Sequence, residues 1–416
     1  MSKLKKHLEE NLKDIPKHFV RKLIAQKLAD QGIENSSLLS ALTEHISSGS
    51  SEDFHWDDGE PDITKKLSIS FTDEDGHRIE KEVSAFLKDG LPKVIENTLR
   101  ESAKSFVRSL DRRWPEQKVE ERGDMRHFRD RLELRWGKGL DALHMLLISS
   151  REIGQNYAEK LSRSRAKSGR IKRQALVILH MRACQTTLEI VTLLGNGLAD
   201  GAFARWRTLY EISVVAFLID KFGDSVAEQY LAHEVVSLRE TVINEFKHAG
   251  ITYDEKNLRG EIKDLQDEFE AATDAYGRSF AGPYGWAASC LNLKSPRFQD
   301  LEEAIGWKAL PPNYKASSHR IHAGIVGAVR SLSTIGGQPF IHAGASNAGL
   351  ETPASNTAYS LLHVTSLLFG KSSDLEVQIQ MQALVILRDR VVRECGKAAK
   401  TLEKDELEIR SGLSEL

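Results

Sequence analysis

Two charged residues enter an otherwise apolar helix near the middle of the chain. Arg207 and Glu211 are four positions apart, which places both side chains on one face of a helix. The residues from Ile212 to Ile219 are mostly apolar, a pattern typical of a buried helix. Charges that enter a core are costly unless they are paired. The pair, with Arg205 a short reach away, is therefore either a structural ion pair or the floor of an anion-binding or catalytic pocket.

A polar stripe is predicted on a later helix. Tyr314, Ser318 and His322 are spaced by four and so share one helical face. Gly324 and Gly327 continue that helix with small residues, which allow another helix to approach closely. His322 can then hydrogen-bond a neighbouring helix, or it can serve as a general acid or base. The spacing alone leaves both interpretations open.

Two loops carry further candidate binding residues. Tyr284 and Trp286 follow a Gly-Pro pair, and their rings either line a ligand pocket by stacking or plug one end of a helical bundle. Asn347 lies in the small-residue loop 345–349, whose backbone amides are compatible with phosphate binding. That loop lacks the Gly-Lys-Ser/Thr ending of a P-loop.

One short stretch is strongly basic. Residues 160–173 contain no acidic side chain but hold Lys160, Arg163, Arg165, Lys167, Arg170, Lys172 and Arg173. Such a patch suits the phosphate backbone of a nucleic acid, and it equally suits a solvated turn between two helices. No aromatic residue interleaves with it, which argues against stacking of single-stranded bases within the patch.

Motifs for metals and cofactors are weak. The chain has no Cys-x-x-Cys pair, no His-Glu-x-x-His, no P-loop and no Gly-x-Gly-x-x-Gly. His319 and His322 have a ligand-like spacing without an obvious third ligand. A di-iron bundle needs two Glu-x-x-His motifs on core helices, and only Glu245 with His248 fits. We therefore expect neither a metal nor a cofactor.

Composition indicates which partners and which cellular compartment to expect for this protein. The formal net charge of −2 over 416 residues gives no global electrostatic case for nucleic acid or an anionic membrane. The three cysteines are widely separated and odd in number, which indicates reduced thiols rather than a disulfide framework. The N-terminus has no apolar signal core, and no apolar run approaches the roughly 20 residues of a membrane span. A cytoplasmic protein without a membrane segment is expected.

The period of the apolar residues predicts an all-α, multi-helix bundle with a small N-terminal appendage of helices and one β-hairpin. Alternation at Leu67, Ile69 and Phe71, followed by Asp75-Gly76, predicts the hairpin near 65–83. Five regions are expected: a helical segment 1–47, a linker and hairpin 48–83, a long-helix region 84–170, a core helical domain 171–370 and a C-terminal helix 371–416. The predicted helices are 85–112, 125–165, 171–195, 203–222, 225–248, 256–275, 298–306, 313–334, 355–370 and 374–405.

Several motifs in a fixed order resemble those of an uncharacterised, all-helical bacterial family, a domain of unknown function. They are the segments 197–211 (with Arg-Trp-Arg-Thr-Leu-Tyr-Glu), 230–234, 284–288 (Tyr-Gly-Trp-Ala-Ala), 314–318, 322–324 (His-Ala-Gly) and 346–350. The resemblance spans roughly 170–370 and implies an all-α fold without implying an activity. It further implies that the signature residues converge on one site inside the bundle: Arg207, Glu211, Tyr284, Trp286, Ser318, His322 and Asn347.

The leading functional hypothesis is a protein that acts on nucleic acid, such as a metal-independent ribonuclease or a defence-system effector. Arg207, Glu211 and His322 are its candidate catalytic residues. Binding would fall to Arg205, Tyr284, Trp286, Tyr314, Ser318, Asn347, Arg163, Arg165, Arg170 and Arg173. The alternative is a non-catalytic helical module that binds a nucleotide, a protein partner or a second copy of itself. A metal-dependent oxygenase-like bundle is a third, weaker alternative.

Overall fold

A computed structural model describes residues 15–49, 54, 56, 68–255, 258–307, 311–321, 324–329, 331–332, 343–370 and 374–414. Over these residues the fold is all-α, with helices joined by turns and no strand. The chain divides into two compact units, Met1–Glu121 and Arg122–Leu416. The all-α prediction is therefore confirmed for the described part of the chain.

The first unit has a small core between two short helices. Helix α1 spans Ile15–Ala29 and helix α2 spans Ser36–Ser47. Asn35 precedes α2 and caps it, since its side chain accepts hydrogen bonds from the backbone amides of the second and third residues of the helix, each at 3.0 Å. The buried apolar side chains among the described residues of this unit are Leu23, Ile24, Leu28, Leu38 and Leu42.

The predicted β-hairpin is wrong. Asp73–Ala85 forms helix α3, and Asp75-Gly76, a hairpin signal in the sequence, lies in its first turn. The Asp75 carboxylate accepts the backbone N–H of Thr72 at 3.0 Å, and the Asp75 N–H donates to the Thr72 hydroxyl at 3.3 Å. This capping box, with three acidic residues at the positive end of the helix dipole, stabilises a helix start. Leu67, from the first predicted strand, lies outside the described residues.

One very long helix replaces two predicted ones. After a π-helical turn at Phe86–Gly90, helix α4 runs without interruption through the 73 residues Leu91–Arg163, a length of about 110 Å. Pro115 lies inside α4, although a proline removes a backbone hydrogen bond and usually ends a helix. The break predicted between 112 and 125 is therefore wrong, because the helix-favouring Glu, Gln, Lys and Arg residues on both sides of Pro115 continue the helix through it.

The second unit is a bundle around helices α5, Arg170–Gly195, and α6, Ala199–Phe222. Helix α6 packs against α5 and against four later helices, and Trp206, Leu209 and Tyr210 on it are fully buried. This confirms the prediction of a buried helix. The remaining helices are α7 Asp224–Ala232, α8 Glu234–His248, α9 Glu261–Tyr276, α10 Ala288–Leu291, α11 Phe298–Ile305, α12 Pro311–Ile321, α13 Ile325–Val329, α14 Glu351–Ser366 and α15 Leu375–Ser414.

Two predicted helices are divided. The segment 225–248 is interrupted at His233, whose ring Nε2 lies 3.0 Å from the Phe280 carbonyl and 2.9 Å from the Gly282 carbonyl. These contacts tie the turn between α7 and α8 to the loop before Tyr284. The predicted helix 313–334 is represented by α12 and α13, with residues 322–323 between them outside the described part.

Helix α5 alone, among the described residues, is long and apolar enough to qualify as a membrane-crossing segment. Ten of its residues are nevertheless buried in the bundle, where α5 packs against α6 and α14. A helix with this burial belongs to the core of a bundle, which is the usual reason for such an apolar composition.

Candidate functional site

The side chains of Arg207, Glu211 and Tyr314 form a closed hydrogen-bonded triangle between α6 and α12. The Arg207 Nε donates to Glu211 Oε1 at 3.0 Å, and the Arg207 Nη2 donates to the Tyr314 hydroxyl at 2.9 Å. The Tyr314 hydroxyl in turn donates to Glu211 Oε1 at 2.7 Å. One turn of α6 thus holds the ion pair, and α12 supplies a phenol that bridges it. We call these three residues the Arg207 site.

The electrostatics of the Arg207 site keep the phenol protonated. Burial raises the pKa of Tyr314, and the neighbouring Glu211 carboxylate raises it further. The Arg207 guanidinium also lies 4.8 Å from the centre of the Tyr314 ring, a cation–π distance. The Arg207 and Glu211 side chains are 25% and 35% exposed, so solvent reaches the pair. At neutral pH the site therefore offers a cation and a phenolic hydroxyl.

Aromatic rings border the site on the side of Tyr314. The ring centre of Phe298 lies 4.9 Å from that of Tyr314, and the ring centre of Tyr284 lies 6.2 Å from that of Phe298. Tyr284, Phe298 and Tyr314 are all half-buried, so part of each ring meets solvent. Burial raises the pKa of the Tyr284 phenol, and the Glu211 charge adds to that effect. We call Tyr284, Phe298 and Tyr314 the aromatic rim.

A second carboxyl lies behind the rim, and the sequence analysis did not single it out. Tyr210, fully buried, donates its hydroxyl hydrogen bond to Glu302 Oε1 at 2.6 Å. Glu302 is only 6% exposed, and its burial raises the pKa of its carboxyl. The Tyr210 ring lies 5.3 Å from that of Tyr314, so the two phenol–carboxylate pairs are neighbours. Helix α11 carries three acidic residues, Asp300, Glu302 and Glu303, and nothing in the sequence distinguishes the buried one.

Arg205 belongs to a different contact. It pairs with Glu189 of α5, and its Nη1 also donates to the Thr208 hydroxyl at 3.3 Å. Arg205 and Arg207 are two positions apart on α6, so their side chains point in different directions. The structure thus gives Arg205 the role of an α5–α6 ion pair and does not bring it into the Arg207 site.

Trp286 is a packing residue. Its side chain is 4% exposed, and its ring meets the edge of Tyr230 at 5.1 Å. The chain can fold back here because residue 285 is glycine: a Cβ on Gly285 would lie 2.1 Å from the Phe280 carbonyl oxygen. The Tyr284–Trp286 loop therefore contributes one ring to the rim of the site and one to the core.

Asn347 and Ser318 are both engaged in local structure. The indole Nε1 of Trp136 donates to Asn347 Oδ1 at 2.7 Å and lies 3.1 Å from the Asn347 carbonyl oxygen, which fixes the loop to α4. The Ser318 hydroxyl donates to the Tyr314 carbonyl at 3.1 Å, one turn back along α12. His322 lies outside the described residues, so the structure neither places it beside Arg207 nor separates it from Arg207.

The basic stretch surrounds the turn between α4 and α5. Arg163 lies 3.7 Å from Glu159, Arg170 Nη1 donates to the Ser164 carbonyl at 3.0 Å, and Arg173 Nη2 donates to the Ala166 carbonyl at 3.2 Å. Arg165 is exposed. Lys172 pairs with Asp220, at 2.8 Å, on the last turns of α6. Because Asp220 is thirteen residues from Arg207, the stretch lies about 20 Å along α6 from the Arg207 site.

Within the described part of the chain, no group of three or more His, Cys, Asp or Glu side chains is arranged to hold a metal ion. Comparisons with curated proteins and with solved structures found no match. The family resemblance inferred from the motifs is confirmed: residues 173–339, which include Arg207, Glu211, Tyr284 and Tyr314, match the model of a family of unknown function, DUF5677.

Proposed function

We propose that this protein acts on nucleic acid and that the Arg207 site receives one nucleotide unit. Arg207 would hold the phosphate, and the aromatic rim would stack the base. The observation that carries the proposal is a partly exposed guanidinium beside three half-buried aromatic rings. The ring centres of Tyr314 and Phe298 are 4.9 Å apart, and those of Phe298 and Tyr284 are 6.2 Å apart. Cationic side chains together with aromatic platforms are the usual means of binding single-stranded nucleic acid.

The geometry leaves Arg207 the capacity to bind a phosphate. A guanidinium carries five N–H donors, and contacts within the described residues use the Nε and one Nη2 donor. Glu211 partly neutralises the cation, so an incoming phosphate gains little long-range attraction. We therefore expect modest affinity with a salt dependence of about one phosphate contact, a slope near −0.7 for a single strand.

The catalytic form of the proposal is metal-independent cleavage of RNA. In that step the ribose 2′-oxygen of the RNA would form a bond to phosphorus while the bond from phosphorus to the 5′-oxygen breaks. Arg207 would stabilise the charge on the phosphate, and Glu211 or His322 would take the 2′-hydroxyl proton or return a proton to the leaving 5′-oxygen. Its support is that a cation, a carboxylate and a phenol lie together in the Arg207 site. The raised pKa of Tyr314 keeps its hydroxyl protonated, so Tyr314 would donate a hydrogen bond and would not be the proton source. A role in defence depends on such cleavage and stays a prediction.

The non-catalytic form is favoured by a different observation. Arg207, Glu211 and Tyr314 already satisfy one another, so the site is stable as a binding surface without any reaction. A helical module that recognises a nucleotide or protein partner would need no more than this. The two forms differ in one property, the cleavage of bound RNA.

Binding is tested with a labelled single-stranded RNA, followed by fluorescence polarisation over a range of salt. Arg207→Ala should weaken binding by about tenfold or more, since it removes a charge-assisted phosphate contact. Arg239→Ala is the matched control, because Arg239 also lies over an aromatic ring, 4.3 Å from Phe269, and pairs with a carboxylate, Glu255. Equal affinities for the two variants, with circular dichroism unchanged, would remove the Arg207 site from the proposal.

Cleavage is tested with the same RNA in the presence of a chelator. The catalytic form expects products that disappear in Arg207→Ala and in His322→Ala, with binding retained in the histidine variant. If RNA binds but stays intact with the wild-type protein, the non-catalytic form holds. If the histidine variant cleaves normally, His322 has no part in the reaction.

Cytoplasmic location is also part of the proposal. Cys184 and Cys395 are free and buried, and burial raises the pKa of each thiol to about 12. Such thiols stay protonated and unreactive, as befits a reduced compartment.

A further inference from the structure

One oxygen of the Glu211 carboxylate has no partner in the described part of the chain. Oε1 accepts two hydrogen bonds, from Arg207 Nε at 3.0 Å and from the Tyr314 hydroxyl at 2.7 Å. No described residue donates to Oε2, and the Glu211 side chain is 35% exposed. A carboxylate only accepts hydrogen bonds, and each of its oxygens can accept two. The Arg207 site therefore offers a ligand one free acceptor, Glu211 Oε2.

This free acceptor lies beside the aromatic rim. The other oxygen of the same carboxylate is 2.7 Å from the Tyr314 hydroxyl, and the Tyr314 ring is 4.9 Å from that of Phe298. Burial raises the pKa of Tyr284 and of Tyr314, and the Glu211 charge adds to the shift of both, so the carboxylate acts on both ends of the rim. A base stacked on these rings therefore has one edge near Glu211.

A free carboxylate oxygen distinguishes the four bases by the donors and acceptors on their edges. On the Watson–Crick edge guanine alone has two adjacent donors, the N1–H and the N2 amino group. Adenine and cytosine have one amino donor beside a ring nitrogen that accepts, and uracil has a single N–H between two carbonyl oxygens. An acceptor placed against a carboxylate is repelled and stays unpaired. The same negative charge keeps a phosphate away from Oε2.

We propose that Glu211 makes the site selective for guanine: its Oε2 accepts hydrogen bonds from the N1–H and the N2 amino group of a base that stacks on the aromatic rim. This inference rests on the proposed function, because it requires that the rim receives a base. Hydrogen bonds to an ionised acceptor are about twice as strong as those between neutral groups, so the two together produce a clear preference. Arg207 keeps the phosphate, and in the catalytic form proton transfer falls to His322.

The base preference is measured with short RNA strands that carry a single base. Strands with guanine, hypoxanthine, adenine, cytosine or uracil at the centre and abasic ribose elsewhere compete with the labelled RNA in fluorescence polarisation. We expect the guanine strand to bind about tenfold more tightly than the adenine, cytosine and uracil strands, since a good pair of hydrogen bonds to a base edge discriminates to this extent. Hypoxanthine keeps N1–H and lacks the N2 amino group, so its affinity should fall between those of guanine and adenine.

The role of Glu211 is tested with Glu211→Gln. The glutamine keeps one oxygen for Arg207 and Tyr314 and puts an N–H donor in place of Oε2. The preference for guanine should therefore be lost, and adenine, which has an acceptor at N1, should bind more tightly than it does to the wild type. Glu189→Gln is the matched control and should keep the preference, because Glu189 is 37% exposed and also pairs with an arginine, Arg205, but lies outside the site. Circular dichroism checks that both variants fold like the wild type.

The outcomes separate this inference from the proposed function. If the wild-type protein binds all the strands equally, or binds hypoxanthine as tightly as guanine, the two adjacent donors are not recognised, and the guanine proposal fails while nucleic-acid binding stands. A preference for guanine that survives in Glu211→Gln would assign the selectivity to another residue and would also overturn the proposal. If the labelled RNA itself does not bind, the proposed function fails and the guanine proposal fails with it.

Discussion

At the scale of single residues, the buried carboxyl of Glu302 makes the stability of the folded protein depend on pH. Burial raises its folded-state pKa above the ordinary value of about 4.5, so the folded protein holds this proton more tightly than the unfolded chain. Between the two pKa values the folded state binds more protons, and the contribution of Glu302 to stability therefore falls as pH rises through that window. Glu302→Gln keeps an acceptor for the Tyr210 hydroxyl and removes the ionisation. We expect the variant to be more stable than the wild type at neutral pH.

The measurement is urea unfolding of both proteins from pH 4.5 upward. The difference in unfolding free energy should grow with pH until the raised pKa is passed and then level off. Glu240→Gln, at an exposed position on α8, serves as the control and should follow the wild type. A constant difference between Glu302→Gln and the wild type at every pH would contradict the assignment.

Burial of His363 predicts that the folded protein loses stability as pH falls, which is the opposite of the effect of Glu302. Its ring lies 4.9 Å from Trp307 and 5.9 Å from Phe217, and its Nδ1 is buried without a hydrogen-bond partner among the described residues. Burial lowers its pKa to about 4, and the charge of Arg388 adds to that effect. Unfolding frees the ring to bind a proton near pH 6.5, so stability is lost as pH falls from 6.5 towards 4.

Replacing that ring should make the protein less sensitive to acid. His363→Gln cannot be protonated, so its unfolding free energy should fall less between pH 6.5 and 4 than that of the wild type, by up to about 3 kcal/mol. Urea unfolding at a series of pH values measures this slope. His144→Gln, at an exposed position, is the control. Equal slopes for His363→Gln and the wild type would show that the ring is already accessible to protons when folded.

Part of the Arg207 site could be predicted from the sequence, because two of its residues are close together on one helix. The spacing of Arg207 and Glu211 follows directly from the helical period, and the structure bears out their pairing. Tyr314 was predicted only as part of the polar stripe with Ser318 and His322. Its contact with Arg207 could not be predicted from spacing, because α12 is about a hundred residues away along the chain. Glu302 was missed since nothing in its neighbourhood signals burial. Trp286 was assigned to binding because an aromatic ring after Gly-Pro looks the same whether it faces solvent or the core.

At the scale of elements, one carboxylate holds the start of α5. Asp224 is the first residue of α7, yet its two oxygens accept the backbone amides of Gly169 at 2.7 Å and Lys172 at 2.8 Å. The first turn of α5 has no acidic residue, and its N-cap is Gly169, with φ of +67°. Asp224 thus supplies from another helix the cap that α5 lacks.

Removing that cap should destabilise the bundle. Asp224→Ala leaves two amides without their acceptor and should cost about 2 kcal/mol of unfolding free energy, whereas Asp224→Asn, which keeps one acceptor, should cost less. Asp220→Ala is the comparison, because its pair with Lys172 is 30–40% exposed and so contributes under about 1 kcal/mol. Chemical denaturation gives all three values. A larger loss in Asp220→Ala than in Asp224→Ala would refute the capping role.

The elements were predictable where the apolar period is long. The pattern of α6 extends over many turns, and the predicted buried helix is confirmed. The hairpin was inferred from only three alternating residues, and the capping box at Thr72 outweighed that signal. Continuity of α4 through Pro115 could not be read from residue types, because a proline is compatible with either a break or a tolerated helix interior.

At the scale of the whole molecule, the two units differ greatly in the core that supports them. Every residue of the larger apolar cluster lies beyond Arg122, from Phe128 to Leu402. Among its described residues the first unit has only five buried apolar side chains, Leu23, Ile24, Leu28, Leu38 and Leu42. Small cores stabilise little on their own.

This difference predicts two unfolding transitions in the full chain. The fragment Arg122–Leu416 should fold alone and melt at a temperature that does not depend on its concentration, because its core is intact. In the full chain an earlier, separate transition should appear, because the first unit has its own and much smaller core. Calorimetry at several concentrations measures both.

Leu28→Ala removes a buried side chain from the smaller core, so it should lower the earlier midpoint while leaving the later transition in place. Val119→Glu should change neither. If the fragment Arg122–Leu416 does not fold, the larger core depends on the first unit in a way that its own burial does not reveal. If the full chain shows a single transition, the two units unfold together and the difference between their cores does not separate them.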